Sequence, residues 1–542
     1  MLMFIKITKS GKYKYCQAVE SFKQAGVTRH KVLFNLGRLD LIQGNKSFQN
    51  FAGKLLELSN AESPISLDSI SEAEISNYGY IVYKKIYSDF NLDRILDLIG
   101  SKTKISYSLS RSSFLMAVSH LLNPSSKLAL YNNQHRYTNL APVNLNNIYR
   151  SLDILSDFKE QIEKEIFEIN RNLFNLSADV VFYDVTTFSF SSVIPDDLKD
   201  FGYSKKGKPN KVQVVMGLLI DCYGRPVGYE LFSGNTFDSK TLPSALESLG
   251  KRFGIRKVII VADKGINSRI NLKEITDRGY SYIFAYRLKS APEKIKDEAF
   301  SDGYTDISDD DEQLRYKAAD YTHNFYSDHK KVSLSQKIVI TYSDKRARKD
   351  KTDRERAVEK AKSLLEDVSK IKASNKRGAK KYIKSQSTDI NYFLDEDAIN
   401  ADSAFDGYYA IVTDQDNISP QEVISAYHNL WRIEQSFKIM KSNLEVEPVF
   451  VWTPKRIKGH FVICFLAFLL ERHLEYKLTK NNTTASADKI KDALNSLNFA
   501  KVSLNGNSYF IKTKAEDLAY KILRILKIPS PKNITPIEEL NL

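Results

Sequence analysis

Residues 178–190 read ADVVFYDVTTFSF, and this stretch decides the fold class. Valine, threonine and aromatic residues dominate it, so it reads as a strand. It is apolar on nearly every side, so it reads as a buried one. Asp184 stands in its middle, where an uncompensated charge costs several kcal/mol; a metal ion or a partner is the usual compensation. Working outward, VQVVMGLLIDCYG (212–224) and RPVGYELFSG (225–234) are two further β-rich runs separated by turn residues. Lys240–Phe253 has helical patterning, and KVIIVAD (257–263) is a buried strand ending in Asp263. Asn271–Arg278 reads as a short helix and YSYIFAYRL (280–288) as another strand. Alternation of sheet and helix predicts an α/β domain. Residues just past strand ends in such a sheet are where sites form. One aspartate there is more often a cap or turn former, but two in separate strands of one domain point to chemistry.

The rest of the chain is organised around this block. It has 542 residues, 42% of them hydrophobic and 27% charged, which suits several globular domains and argues against chain-wide disorder. Lys and Arg number 80 against 66 Asp and Glu, a net +14 that favours a polyanionic partner, nucleic acid first. Cys16, Cys222 and Cys464 are far apart, which excludes a disulfide framework and a structural zinc site. The longest apolar run, Phe461–Leu470, is about half of a membrane span and no secretory signal is visible, so no membrane is expected. The expected location is the cytoplasm, at the nucleoid.

Coarse boundaries follow. Residues 1–50 form a small strand-rich unit. Residues 51–177 are helical and DNA-binding, with a loop at Tyr131–Asn147. The α/β core occupies 178–289 and 406–478, interrupted by a basic insertion at 290–405. A mainly helical tail covers 479–542, with a short hairpin at Val502–Lys512 and a last helix near Ala515–Leu526. The insertion holds a short strand candidate, Ile338–Tyr342, and a polar helix candidate, Asp353–Ile371. Between Lys345 and Lys384 sixteen Lys/Arg face six acids, and this is either a solvated surface or one that meets DNA phosphates through Lys376, Arg377, Lys380 and Lys381. Ser419-Pro420-Gln421-Glu422 is a capping box with proline at the first helical position. The helix it starts should run to Asn443, followed by a second from Lys455 to Leu478. On the first helix Tyr427, Glu434 and Lys441 recur every seven residues and share one stripe, bordered by Phe437 and Lys438. That stripe is either a solvated face or a carboxylate and cations brought to the Asp pair.

Other features carry less. Gly202–Lys208 mimics a phosphate loop, but Pro209 stands where a Ser or Thr is needed, so nucleotide binding is rejected. Lys205 and Lys206 read instead as a basic hairpin near DNA. Asp238 is expected to cap a helix and Asp221 to form a turn before Gly224. The eight histidines show no ligand spacing. Trp431 and Trp452 are read as core residues first and as DNA-stacking rings second.

FYDVTTFSF, GLLIDCYGRPVGYELFSGNTFDSKT, VIIVADKGINS and YHNLWRIEQSFKIMKSNLEVEPVFVWTPKRIKGHFVICFLAFLL together resemble the blocks of bacterial insertion-sequence DDE transposases, in the group whose last motif reads Y-x2-R-x3-E-x6-K. The opening KITKSGKYKYCQAVE is similar to the start of such proteins. The resemblance implies an RNase-H-like mixed sheet flanked by helices. It implies Asp184, Asp263 and Glu434 as the catalytic, metal-binding triad, with Mg²⁺ as the ion and Mn²⁺ as an alternative. It also implies Tyr427 and Lys441 as the outer Tyr and Lys of the motif. Lys441 and Lys438 would hold phosphates as point charges. The family Arg falls on Leu430, and Arg432 lies about 200° around a regular helix from that position. The implied activity is cleavage and strand transfer at the inverted-repeat ends of an insertion sequence in double-stranded DNA, by a homodimer in a synaptic complex. A metal-dependent endonuclease and an inactive DNA-binding relative are the alternatives, and the presence of all three acids argues against the second.

Overall fold

In the computed structural model residues 2–24, 26–59, 73–173, 179–202, 211–309, 312–327, 329–366, 371, 378–385, 392–504 and 507–540 are described. They form two units, one of residues 1–74, 500–511 and 533–541, the other of 75–499, 512–532 and 542. In the first unit, strands Leu2–Ser10, Tyr13–Gln24 and Val27–Arg38 make an antiparallel sheet in chain order. Helix Lys46–Leu58 follows, its start capped by the Asn45 side chain, which accepts from the Ser47 and Phe48 amides. It runs through position 50.

The second unit is built on a nine-stranded sheet. Its strands are β1 (Val180–Ser189), β2 (Gln213–Asp221), β3 (Pro226–Ser233), β4 (Ile259–Ala262), β5 (Ser281–Tyr286), β6 (Thr305–Asp309), β7 (Glu312–Ser327), β8 (Lys330–Ser343) and β9 (Tyr408–Thr413). Their order is β6-β7-β8-β9-β5-β4-β1-β2-β3. Within it, β1, β2 and β3 pair antiparallel, β2 and β3 through a tight turn. The turn between β2 and β3 is fixed by Asp221, which accepts the Tyr223 and Arg225 amides at 3.0 and 2.8 Å. Asp221 also pairs with the Arg225 guanidinium at 2.7 Å, both side chains fully buried. From β1 the sheet continues through β4 and β5, all parallel, as helical crossovers require. The core order 3-2-1-4-5, antiparallel then parallel, is the RNase-H-like arrangement expected from the sequence.

The basic insertion is more than a solvated excursion. Its strands β6, β7 and β8 extend the sheet beyond β9, and the short strand expected at Ile338–Tyr342 is the end of the 14-residue β8. The polar helix starts earlier than expected, at Asp344, and ends at Leu365.

One face of the sheet buries Val181, Tyr183, Val185 and Ile260 in the core that also holds Leu246 and Leu272. Against the other face lies helix Pro454–Lys480, with Phe461 at 5.3 Å from Phe188 and Phe465 at 5.3 Å from Tyr229, ring centre to ring centre. This helix is buried around nearly its whole girth, hence its even apolar character. Its far side meets helices Leu109–Leu122 and Leu145–Asp157. Gly459 permits that approach: a Cβ there would sit 1.9 Å from the Leu152 carbonyl oxygen. No described helix is long and apolar enough to cross a membrane.

The stretch 420–443 departs from the single helix expected. It is α1 (Pro420–His428), a tight turn, α2 (Trp431–Lys438), and a wide π turn over Ile439–Asn443. The capping box forms as read, with Ser419 and Glu422 bonded reciprocally. The break is a 3₁₀ step, in which the Leu430 amide donates to the Tyr427 carbonyl at 2.9 Å.

Candidate active site

Alternation along β1 sets Val181, Tyr183 and Val185 into the core, so Phe182, Asp184, Thr186 and Phe188 share the opposite face. Asp184 is half-buried. Its carboxylate accepts the Val185 amide at 2.7 Å. In the parallel β1–β4 ladder Phe182 stands opposite Val261. Carried two residues further, the same register would set Asp263, just past the end of β4, opposite Asp184. Asp263 directly follows β4 and turns the chain, its carbonyl accepting the Ile266 amide at 3.0 Å.

The 420–443 stretch crosses both acids. At its first end the Tyr427 hydroxyl donates to the Asp263 carboxylate at 3.4 Å, and Tyr409 of β9 hydrogen-bonds the same Tyr427 hydroxyl. At its other end the Lys441 ammonium donates to Thr186 Oγ1 at 2.6 Å and lies 5.3 Å from the centre of the Phe188 ring. Glu434, exposed, lies midway in sequence between these two contacts, seven residues from each. Burial raises the Tyr427 pKa, and Tyr409 and Asp263 add to the shift. Burial likewise pushes Tyr409 up to about 12. Both hydroxyls therefore keep their protons at neutral pH. Lys441 sits in the π turn, a local expansion often found at functional sites.

The three acids supply only oxygen donors, which suit Mg²⁺ or Mn²⁺ and not the softer-ligand metals. Among the described residues the one set of three ligating side chains with donor atoms all within 4.8 Å of one another is His120, His460 and Cys464, so the three carboxylates are set wider.

Of the expected DNA contacts, Lys438 is exposed on the Glu434 helix. Lys380 donates to the Ile371 carbonyl, and Lys381 pairs with Asp402. Lys289 and the Tyr382 hydroxyl reach the same carboxylate, each at 2.6 Å. Burial opposes ionisation of Asp402, but these three partners outweigh it and hold the group below the usual carboxylate range. Lys205, Lys206, Lys376 and Arg377, and the 203–208 part of the phosphate-loop mimic, lie outside the described residues. Three expectations are corrected. Trp431 and Trp452 are 50% and 59% exposed, not core. Trp431 is a surface ring with the Arg432 guanidinium 4.9 Å from its centre. Asp238 opens a 3₁₀ turn rather than standing at a helix N-cap, and its carbonyl accepts from Thr241. Leu430, in the place of the family Arg, is buried. Sequence reasoning missed Thr186 and Tyr409, the sheet residues that receive the two ends of the Glu434 stretch. Parity from Asp184 marks Thr186 as sharing its face, while nothing local marks Tyr409.

The 3-2-1-4-5 sheet is the RNase-H-like arrangement, and the family match below makes the chain an enzyme of the polynucleotidyl-transferase type. The family model described as transposase DDE domain matches residues 176–470, and the model described as IS1634 family transposase, N-terminal domain, matches residues 5–64. The chain belongs to the DDE transposases of bacterial insertion sequences. Among solved structures it is similar to the piggyBac transposase synaptic complex with hairpin DNA, at TM-score 0.34 and 8% identity over 79% of this chain and 83% of that one. It is also similar to the Mos1 transposase paired-end complex with the left transposon end, at TM-score 0.14 and 14% identity over 33% of this chain and 60% of that one. Comparison with curated proteins finds no match. The family implies a divalent metal cofactor.

Proposed function

We propose that this transposase cleaves phosphodiester bonds at the inverted-repeat ends of its insertion sequence and joins the freed 3′ ends to target DNA. Asp184, Asp263 and Glu434 are its catalytic carboxylates. The observation that carries this reading is the bracketing of Glu434: the residue seven before it touches Asp263, and the residue seven after it touches the strand face of Asp184.

Asp184 and Asp263, side by side on parallel strands, and Glu434 above them would hold Mg²⁺, with Mn²⁺ as the alternative. Bound there, a pair of such ions activates the attacking oxygen and offsets charge on the leaving one. Tyr427, held protonated, donates to Asp263 and fixes its orientation. Lys441, tethered to Thr186, presents a cation beside Asp184 where a scissile or adjacent phosphate would lie. Lys438 offers a second cation to the backbone. In-line attack needs reacting atoms about 3–3.5 Å apart, and fixing the phosphate from one side by lysine cations and from the other by ions held on the carboxylates would serve that geometry. Two copies of the chain, one at each end, complete the synaptic complex in this reading.

The test is cleavage and strand transfer on a linear duplex that carries the DNA flanking the coding region. Asp184→Asn, Asp263→Asn and Glu434→Gln should each abolish Mg²⁺-dependent cutting and leave DNA binding largely intact. Near-normal cutting by any one removes that residue from the triad. Cutting without joining would reduce the activity to that of an endonuclease.

A further inference from the structure

The stretch that carries Glu434 and Lys441 leaves the sheet through residues 444–446, and a buried histidine takes hold of that exit. His120, on helix Leu109–Leu122, has Nδ1 2.8 Å from the Leu444 carbonyl oxygen. A carbonyl only accepts, so Nδ1 carries the ring proton and Nε2 is an acceptor. The Lys127 ammonium supplies a proton to Nε2 at 3.1 Å. His460, on helix Pro454–Lys480, stands beside His120. Cys464, one turn on, has its Sγ 3.5 Å from His460 Nε2. The two rings lie 5.4 Å apart, and all four side chains are buried.

The amides of the same exit are satisfied from within. Leu444 donates to the Ile439 carbonyl at 2.9 Å across the π turn, and Val446 donates to the Met440 carbonyl at 3.1 Å. Between them Glu445 holds a φ of 45°, a left-handed conformation that a non-glycine residue adopts at a cost. The exit from the wide turn is thus secured by a carbonyl contact from a separate helix. A relaxed exit would move Lys441, three residues upstream of Leu444, off Thr186.

We propose that His120 is a positioning residue, a clamp that keeps Lys441 on Thr186 and Glu434 over the aspartate pair. This rests on the reading of Asp184, Asp263 and Glu434 as the active site. The other use of the cluster, a transition-metal ion on His120, His460 and Cys464, is disfavoured by the contacts. Both His120 nitrogens are already engaged, and a buried ammonium stands 3.1 Å from the one a metal would need.

The experiment measures single-turnover cleavage on the flanking-DNA duplex, together with duplex affinity and thermal melting. His120→Leu should slow cleavage by about 10- to 100-fold at saturating DNA, the scale of a misplacement near 1 Å, with duplex affinity changed less than threefold. His120→Asn puts an amide donor near the place of Nδ1 and should recover most of that rate. His120→Gln, whose donor lies one bond further out, should not. Equal rates for the Asn and Gln variants overturn the clamp, and this comparison stands even if His120→Leu fails to fold. A double-mutant cycle separates the clamp from the site. In a Lys441→Met background, His120→Leu should add little. If Lys441→Met cleaves slowly and His120→Leu multiplies that loss in full, the site stands and the clamp falls. If Lys441→Met cleaves at the wild-type rate, the site reading itself falls. One equivalent of zinc on the purified protein, lost in Cys464→Ser, replaces the clamp with a metal centre.

Discussion

Neutralising Lys441 isolates the electrostatic part of the active site. Its ammonium is 2.6 Å from Thr186 Oγ1, and Thr186 lies two residues beyond Asp184 on the same strand face. Two residues along a strand span about 7 Å, so the cation stands about that far from the Asp184 carboxylate and from a phosphate bound beside it. At that distance, with an effective dielectric constant of about 20, one unit charge interacts with another by about 2 kcal/mol. If the charge that develops on the reacting phosphate sees that full interaction, Lys441→Met slows cleavage by about 30-fold. Lys441→Arg keeps the charge, though its fork and different reach cannot reproduce the Thr186 contact, so it should recover only part of the rate. The assay is single-turnover cutting of the flanking-DNA duplex in Mg²⁺ at low salt, with binding followed over a salt series. Loss of one phosphate contact should also reduce the slope of log affinity against log salt by about 1. A Lys441→Met enzyme within threefold of wild type, with an unchanged slope, refutes the placement of this cation on the reacting phosphate.

Three further outcomes test other parts of the molecule. Arg225→Met strands the fully buried Asp221 carboxylate and should destabilise the protein by about 3–5 kcal/mol, read as a lowered melting temperature; an unchanged melt refutes the pairing as a determinant of the β2–β3 turn. Glu471, buried and accepting from Tyr83 at 2.5 Å, has its pKa raised by burial and by Glu475. The folded protein then keeps a proton that the unfolded chain releases, so wild-type stability should fall relative to Glu471→Gln as pH rises above the ordinary carboxylate range, and parallel pH profiles would contradict this. On the insertion helix Asp344–Leu365, Arg348 and Lys349 are exposed, and reversing both to Glu should weaken duplex binding and flatten its salt slope by about 2. An unchanged slope takes that helix off the DNA.

Much of the catalytic sheet is legible in the chain because its strands are dense in β-branched and aromatic residues and are punctuated by turns. The buried run around Asp184 and the strand ending at Asp263 need no tertiary information to be recognised. Their adjacency does: it comes from the parallel β1–β4 register, a pairing between segments about eighty residues apart. The capping box at Ser419 is local and readable, whereas the break after His428 has no Pro or Gly to announce it. Its backbone stays near helical values, with Asn429 at φ −69° and Leu430 at φ −60°, so only the hydrogen bonding changes. The tryptophans mislead for a different reason. Trp431 and Trp452 are apolar enough for a core, but Ile433, Phe437, Val449 and Val451 already fill the buried positions around them in the chain. In the insertion the charge excess is plain in the sequence, while its pairing is not: Lys381 is held by Asp402, twenty-one residues away, so a count of cations overstates what remains for DNA.

The insertion also acts on the chemistry from the side of the sheet. It separates β5 from β9, and β9 closes the gap by pairing antiparallel with β5, Ala410 opposite Tyr286. That register carries Tyr409 to the hydroxyl of Tyr427, with the two rings 5.4 Å apart. Tyr427 in turn donates to Asp263. A strand that returns from the insertion therefore supports the first contact between the Glu434 stretch and the aspartate pair. Its far side is anchored on β8 through the whole length of β9. Displacing β9 by one residue would turn Tyr409 to the opposite face and leave Tyr427 without its hydroxyl partner. The long polar excursion between the second and third acids is thus tied to the sheet by the strand that buttresses the third, and changes in its inner strands should reach cleavage even where they touch no DNA.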